Sequence, residues 1–236
     1  MLISAVIIFL AFIVNAFAGF GGGIVAVPLL VLLYPLTTIS PFVNLLGFSS
    51  NALLIKTFYK NIQYWVLIPL ILGNLVGGII GVHFLVLDSN IVLVKILGIV
   101  IPVSSVIIFF VDKKISILPN ILLGFITGIL SGILSAIFAV GGAPIILYLS
   151  SVFKDKNLFR STSLIFFLFN GVIQIPLFAI HGLITRQVLF LFVICFPVLI
   201  LSNWLGHKLH IKSSEEIFRK VVFIILILSG ILLILK

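Results

Sequence analysis

Two short runs of small residues stand where apolar sequence would otherwise continue: Gly19-Phe20-Gly21-Gly22-Gly23 and Ala139-Val140-Gly141-Gly142-Ala143-Pro144. A helix that starts inside such a run presents its first backbone N–H groups without intrahelical partners, together with the positive end of its dipole. Glycine holds no side chain in the way, so an anion can reach those amides directly. The chemistry on offer is recognition of negative charge by main chain. Gly21, Gly22, Gly23, Gly141, Gly142 and Ala143 are the candidate contacts.

Side chains that could complete an anion's shell lie in the apolar runs nearby. Asn51 and Asn170 follow their respective glycine runs at similar distances, and Gln174 is one helical turn beyond Asn170. Amides inside a bilayer need partners or water, and their N–H groups suit an anion; hydrogen bonding between helices explains them equally well. Ser135 is a further candidate contact, although it and Ser131 can also bond to their own helix backbone. Asn44, Ser49 and Ser50 share the run of Asn51. Asn74 with Gly73, Gly77, Gly78 and Gly81 has the spacing of close helix contact rather than of a site.

No catalytic set can be assembled. The chain has no His-Glu-x-x-His, no aspartate pair and no P-loop, so neither an intramembrane hydrolase nor a self-powered pump is expected. Asp88, Asp112, Asp155, Glu215 and Glu216 all fall at run ends or loops, and His83 and His181 read as interfacial residues. Without an ionisable group at mid-membrane, an anion is expected to follow its own electrochemical gradient, which favours export where the interior is negative. Cys195 is alone in an apolar run, which points to packing and excludes an intrachain disulfide. No metal or cofactor site is expected. The net charge of +9 comes from Lys and Arg scattered over short loops, which suits membrane orientation and not nucleic acid.

The elements that must hold these residues are membrane-spanning helices. With 63% hydrophobic and 8% charged residues, the chain lacks the polar surface of a water-soluble domain. Apolar windows occupy 2–34, 42–58, 64–87, 91–111, 117–152, 164–180, 188–205 and 217–235. About 20 residues cross the hydrocarbon, so the first and fifth windows are too long for single rods, and each contains one of the glycine runs. The runs align at an offset of 120 residues, and each is followed by three ordinary spans. The expected fold is therefore an all-α multi-pass membrane protein of two repeats, 1–115 and 116–236. Each repeat is a glycine-broken, re-entrant or discontinuous helix plus three transmembrane helices. If each broken window returns to its starting side, the repeats are inverted. Lys56, Lys60, Lys113, Lys114, Lys154, Lys156, Arg160, Lys208, Lys212, Arg219 and Lys220 then face the cytoplasm, leaving Lys95, Arg186 and Lys236 outside with both termini.

Gly19-Phe20-Gly21-Gly22-Gly23-Ile24-Val25-Ala26-Val27-Pro28, and Ser131-Gly132 with Gly141-Gly142-Ala143-Pro144, resemble the paired signatures of the TauE/SafE sulfite exporter family, over the whole chain. The second run departs from the first, with Ala139 where a glycine would stand and Pro144 close behind. The resemblance implies a transporter of sulfite, organosulfonates or related anions in a prokaryotic plasma membrane. A homodimer is a common assembly for such proteins. The competing reading is a membrane scaffold without a pathway, which predicts a tightly packed centre with no polar cavity between the glycine runs.

Overall fold

A computed structural model describes residues 2–18, 21–58, 63–87, 90–110 and 118–212. All regular structure among them is helical: α1 (Leu2–Ala18), α2 (Gly22–Leu30), α3 (Leu36–Phe58), α4 (Tyr64–Leu87), α5 (Asn90–Phe110), α6 (Ile121–Phe138), α7 (Gly142–Val152), α8 (Lys156–Ile180) and α9 (Arg186–Lys212). Both over-long windows are broken, into α1 and α2 and into α6 and α7. The final window, 217–235, lies outside the described residues, as do Gly19, Phe20 and four of the five carboxylates, Asp88, Asp112, Glu215 and Glu216. Among the described residues, 64–87, 121–138, 158–180 and 186–206 are long and apolar enough to cross a membrane.

The local causes of the breaks can be named. Gly21 caps α2 with φ of 99°, a left-handed conformation that glycine adopts without strain. Ala139 ends α6 with φ of 52°, and its N–H turns back to the carbonyls of Leu134 and Ser135. Alanine in this region costs about 1–2 kcal/mol, so the surrounding structure must hold it there. Pro144 has no N–H for the carbonyl of Val140 and its ring would clash there, which blocks a continuous rod through α6 and α7. In the first turn of α7 the missing donor costs nothing, since those N–H groups have no intrahelical partner anyway.

Two helices run further than hydropathy suggests. α3 begins at Leu36 rather than 42, and α8 at Lys156 rather than 164, so that Arg160, read in sequence as a loop residue, is helical. The extra turns are polar yet buried: Ser40 and Thr162 are fully buried and Thr38 nearly so, and Ser40 meets the end of α6. α8 is capped by Asp155, whose carboxylate accepts from the N–H of Leu158 at 3.1 Å.

Packing follows the small residues. α4 lies on α6, α1 on α9, and α3 on α8. On α4, Gly73, Gly77 and Gly81 recur every fourth residue, as do Gly124, Gly128 and Gly132 on α6; Gly73 meets Gly128, Gly77 meets Gly132, and Gly81 packs on Ile133 and Ala136. A Cβ at Gly77 would stand 2.1 Å from the carbonyl oxygen of Ile129, and one at Gly128 2.3 Å from that of Leu70. The two backbones touch, as the glycine spacing predicts. α9 approaches α1 in the same way, with Gly206 against Ala16 and the Ile13 carbonyl. The interior gathers Phe12, Leu30, Phe42, Leu46, Leu97, Phe138, Phe178 and Leu199, while Trp65, Leu72, Ile99, Leu122, Val193 and Ile200 face outward. An apolar exterior around a core that also holds buried Asn and Ser residues is the arrangement of a protein surrounded by lipid.

Candidate functional site

The two breaks meet. Gly23, in the first turn of α2, packs so closely on the turn after α6 that a Cβ there would lie 1.8 Å from the carbonyl oxygen of Ala139. Only glycine allows this approach. Beside the contact is a cavity of about 60 Å³ lined by Gly21, Gly22 and Gly23 from one break and Ala139, Val140, Gly141 and Gly142 from the other. Asn15, Asn44, Asn51, Ser135 and Asn170 supply its polar side chains, and Phe12, Ile24, Val43, Phe48 and Phe167 its apolar ones. By a measure in which one water needs roughly 10–15 Å³, the space suits a few waters or one small oxyanion.

Of the residues singled out from sequence, Gly21, Gly22, Gly23, Gly141, Gly142, Asn51, Asn170 and Ser135 line this one cavity. Ala143 is buried one residue behind Gly142 and does not line it. Gln174 stands apart. It is fully buried against Gly78, and its Nε2 donates to the carbonyl of Gly132 at 3.3 Å, bridging α8 to the α4–α6 contact.

Each break has a negative end as well as a positive one, and the two are treated differently. The C-terminal carbonyls of α6 are covered: Ser40 Oγ donates to Ala136 O at 2.6 Å, and Asn44 Nδ2 to Ser135 O at 2.9 Å. At the end of α1, Arg160 Nη2 donates to Ala16 O at 3.4 Å. By contrast neither α2 nor α7 has a side chain of its N-cap residue bonded to its first amides. Gly22 N has a long contact, 3.4 Å, with Asn15 Oδ1 from α1. The carbonyl ends thus have hydrogen-bond donors, and apart from the Gly22–Asn15 contact the amide ends of α2 and α7 lie beside the cavity.

Asn44 is the centre of the side-chain framework. Beyond its bond to Ser135 O it donates to Ser40 O at 2.9 Å, and its Oδ1 accepts from Ser135 Oγ at 3.2 Å and from Asn170 Nδ2 at 3.4 Å. Asn74 Nδ2 extends the chain by donating to Asn170 Oδ1 at 3.1 Å. A second chain runs from Asn15 Nδ2 to Ser50 Oγ at 3.1 Å and from Ser50 Oγ to Asn203 Oδ1 at 2.9 Å. Asn51 is different. It is 6% exposed, lines the cavity, and its Oδ1 has no hydrogen-bond partner among the described residues.

Sequence reasoning noted Asn44 as a polar residue of the same run but preferred Asn51, and it missed Asn15 as a lining residue, together with Gly47 and the three phenylalanines. The amides carried a signal, being polar in apolar runs. What places Asn44 at the cavity is the crossing of α3 over the end of α6, which no local pattern reports. Ser131 Oγ donates to Gly141 O at 2.7 Å, fixing the linker between α6 and α7.

None of the lining residues is charged or nucleophilic beyond serine hydroxyls, and no group of His, Cys, Asp and Glu that could hold a metal occurs among the described residues. The arrangement can bind a small anion through main-chain and amide N–H groups, and its lining offers no general base to activate a nucleophile. Comparison with curated proteins and with solved structures finds no match. The sequence pattern described as Sulfite exporter TauE/SafE matches residues 4–233, nearly the whole chain, and this integral membrane protein therefore belongs to the TauE/SafE sulfite exporter family.

Proposed function

We propose that the protein carries a small anion, sulfite or an organosulfonate, out of a prokaryotic cell through the cavity between its two glycine breaks. The observation that carries this reading is the meeting of Gly23 with Ala139 beside a polar cavity, where two helix N-termini converge in the middle of an apolar protein. A scaffold without a pathway predicts solid packing at that point. Export follows from the membrane potential, since moving one negative charge outward gains about 2.3 kcal/mol per 100 mV.

We further propose that 1–115 and 116–236 are inverted repeats, with both termini outside. Pairs of contacts related by the 120-residue offset support this. Ser40 of α3 donates to Ala136 O of α6, and Arg160 of α8 donates to Ala16 O of α1. Ile13 and Ala16 of α1, packed on Gly206 of α9, likewise stand 120 residues before Ile133 and Ala136 of α6, which pack on Gly81 of α4. The positive-inside count over both halves supports the orientation.

The test is flux of sulfite and of methanesulfonate from liposomes holding the purified protein, beside a Gly142→Leu protein whose folding is checked by size exclusion. Flux from the parent that Gly142→Leu abolishes is the expected result. Equal flux from liposomes without protein would overturn the reading. In the Cys195→Ser background, a cysteine replacing Lys154 should react with impermeant reagent only from inside and one replacing Thr185 only from outside; the reverse would overturn the orientation.

A further inference from the structure

The cavity lies between two ends of the α3–α8 pair that differ by a full charge. α4, α6 and α8 run the same way: Gly73 of α4 meets Phe125 of α6 and Gly81 meets Ile133, while Asn74 meets Asn170 of α8 and Gly78 lies against Gln174. α3 runs the other way, because residues 59–63 alone join its end at Phe58 to the start of α4 at Tyr64, and so short a connection reverses a spanning helix. The lining residues stand further along each helix, Val43 to Asn51 on α3 and Phe167 and Asn170 on α8. Ser40, near the start of α3, and Arg160, near the start of α8, are therefore on opposite sides of the cavity.

These two residues, 120 positions apart, cap corresponding helix ends: Ser40 Oγ donates to Ala136 O of α6, and Arg160 Nη2 to Ala16 O of α1. One is a neutral hydroxyl and the other a guanidinium. Ser40 shows that a neutral donor is enough to cap such an end, so capping alone does not account for a charge placed within the membrane segment 158–180. The end of α1 carries roughly half a negative charge, less than the guanidinium brings. Just before Arg160, Lys154 and Asp155 are exposed, and Asp155 is engaged as the cap of α8. Arg160 itself is half-buried. Ala16 adjoins the lining residue Asn15, and Phe167 lies about 10 Å beyond Arg160 along α8.

Resting on the transport reading above, we infer that Arg160 recruits the anion into the cavity from the side where α8 begins, and that the Ser40 side has no equivalent attraction. In the orientation proposed above that side is the cytoplasm, where an exported anion enters. A fixed positive charge at one end of a path with apolar walls concentrates anions there. Arg160 does not line the cavity, so its charge acts on entry and leaves the bound state's own contacts in place.

The test is sulfite flux through liposomes, with sulfite supplied on the face that carries Lys154, for the parent, Arg160→Gln and Arg160→Lys. Glutamine keeps an N–H for the carbonyl of Ala16 and removes the charge, while lysine keeps the charge. The half-saturating sulfite concentration should rise about tenfold in Arg160→Gln and less than about threefold in Arg160→Lys, with maximal rates within about twofold of the parent. Supplied on the opposite face, sulfite should show little of that rise. The parent's half-saturating concentration on the Lys154 face should also increase with ionic strength, which reads the charge without any substitution. A folded Arg160→Gln protein with the parent's half-saturating concentration, an equal rise on both faces, or a parent indifferent to salt would overturn the inference while sulfite flux itself still stood. Absence of sulfite flux through the parent would overturn the transport reading and this inference with it.

Discussion

Replacing Gly23 by alanine adds one methyl group at the contact between the two breaks. The new Cβ would stand 1.8 Å from the carbonyl oxygen of Ala139 and 3.0 Å from its carbon, whereas real Cβ contacts do not come below about 3.0 Å. Both partners are main chain, so no side-chain rotation relieves the clash, and the breaks must separate. Overpacking typically costs about 1–3 kcal/mol, and a backbone partner places this change near the upper end. For a chain of this size each kcal/mol lowers the unfolding midpoint by about 2–4 °C, so a fall of roughly 6–12 °C is expected. Gly142→Ala is the internal control. Its Cβ would meet Ile146, Phe167 and Ile24 at 3.6–3.8 Å, ordinary contact distances, and its midpoint should stay within about 2 °C of the parent. Both are measured by heating detergent-solubilised protein and following the monodisperse fraction by fluorescence size exclusion. Sulfite flux should fall in Gly23→Ala, because the amides that define the cavity move apart. A Gly23→Ala protein as heat-resistant as the parent, or one less affected than Gly142→Ala, would refute the reasoning.

Gly47 lines the cavity and a Cβ there would meet nothing within 4 Å, so Gly47→Leu should keep the parent's thermal midpoint while sulfite flux drops by about tenfold or more as the space fills. Flux at the parent's level would place the pathway elsewhere. Asn44→Ala removes the partner of Ser135 Oγ and Asn170 Nδ2 together, while Ser135 O keeps the N–H of Ala139, and should cost about 1–3 kcal/mol, read as a lower midpoint in the same heating assay. A change below about 0.5 kcal/mol would mean that water replaces those bonds without loss. Gly77→Ala forces a Cβ to 2.1 Å from Ile129 O, outside the cavity lining, and should lower the thermal midpoint as Gly23→Ala does. A stable Gly77→Ala protein would contradict the close approach of α4 and α6.

The membrane class, the positions of both helix breaks and most of the cavity's main-chain lining were legible in the residues, because each follows from a local rule. Apolar length against bilayer thickness marks the spans. Glycine and proline mark where a helix cannot continue. The four-residue spacing of Gly73, Gly77 and Gly81 foretold a close helix contact on α4 for the same kind of reason, though not that α6 makes it. The roles of the buried amides were not legible. Asn170 and Gln174 lie four residues apart on α8, yet Asn170 reaches the cavity and Gln174 the carbonyl of Gly132. Their sequence neighbourhoods are alike in polarity, and only the helices that cross them differ. Asn44 shows the same thing from the other side, since its four hydrogen bonds join its own helix α3 to Ser135 of α6 and Asn170 of α8.

The sequence by itself determined that this chain lives in lipid, that two of its apolar segments break at glycines, and that backbone N–H groups are the chemistry available there. Whether those breaks lie near one another was decided only in three dimensions, by α4 closing on α6 and α1 on α9 through backbone contacts. The physical reason is that breaking a helix is a local event, set by which backbone angles and hydrogen bonds a few residues permit. Bringing two breaks together at one cavity depends on long-range packing, and the same glycines would have folded equally well locally had their helices packed elsewhere.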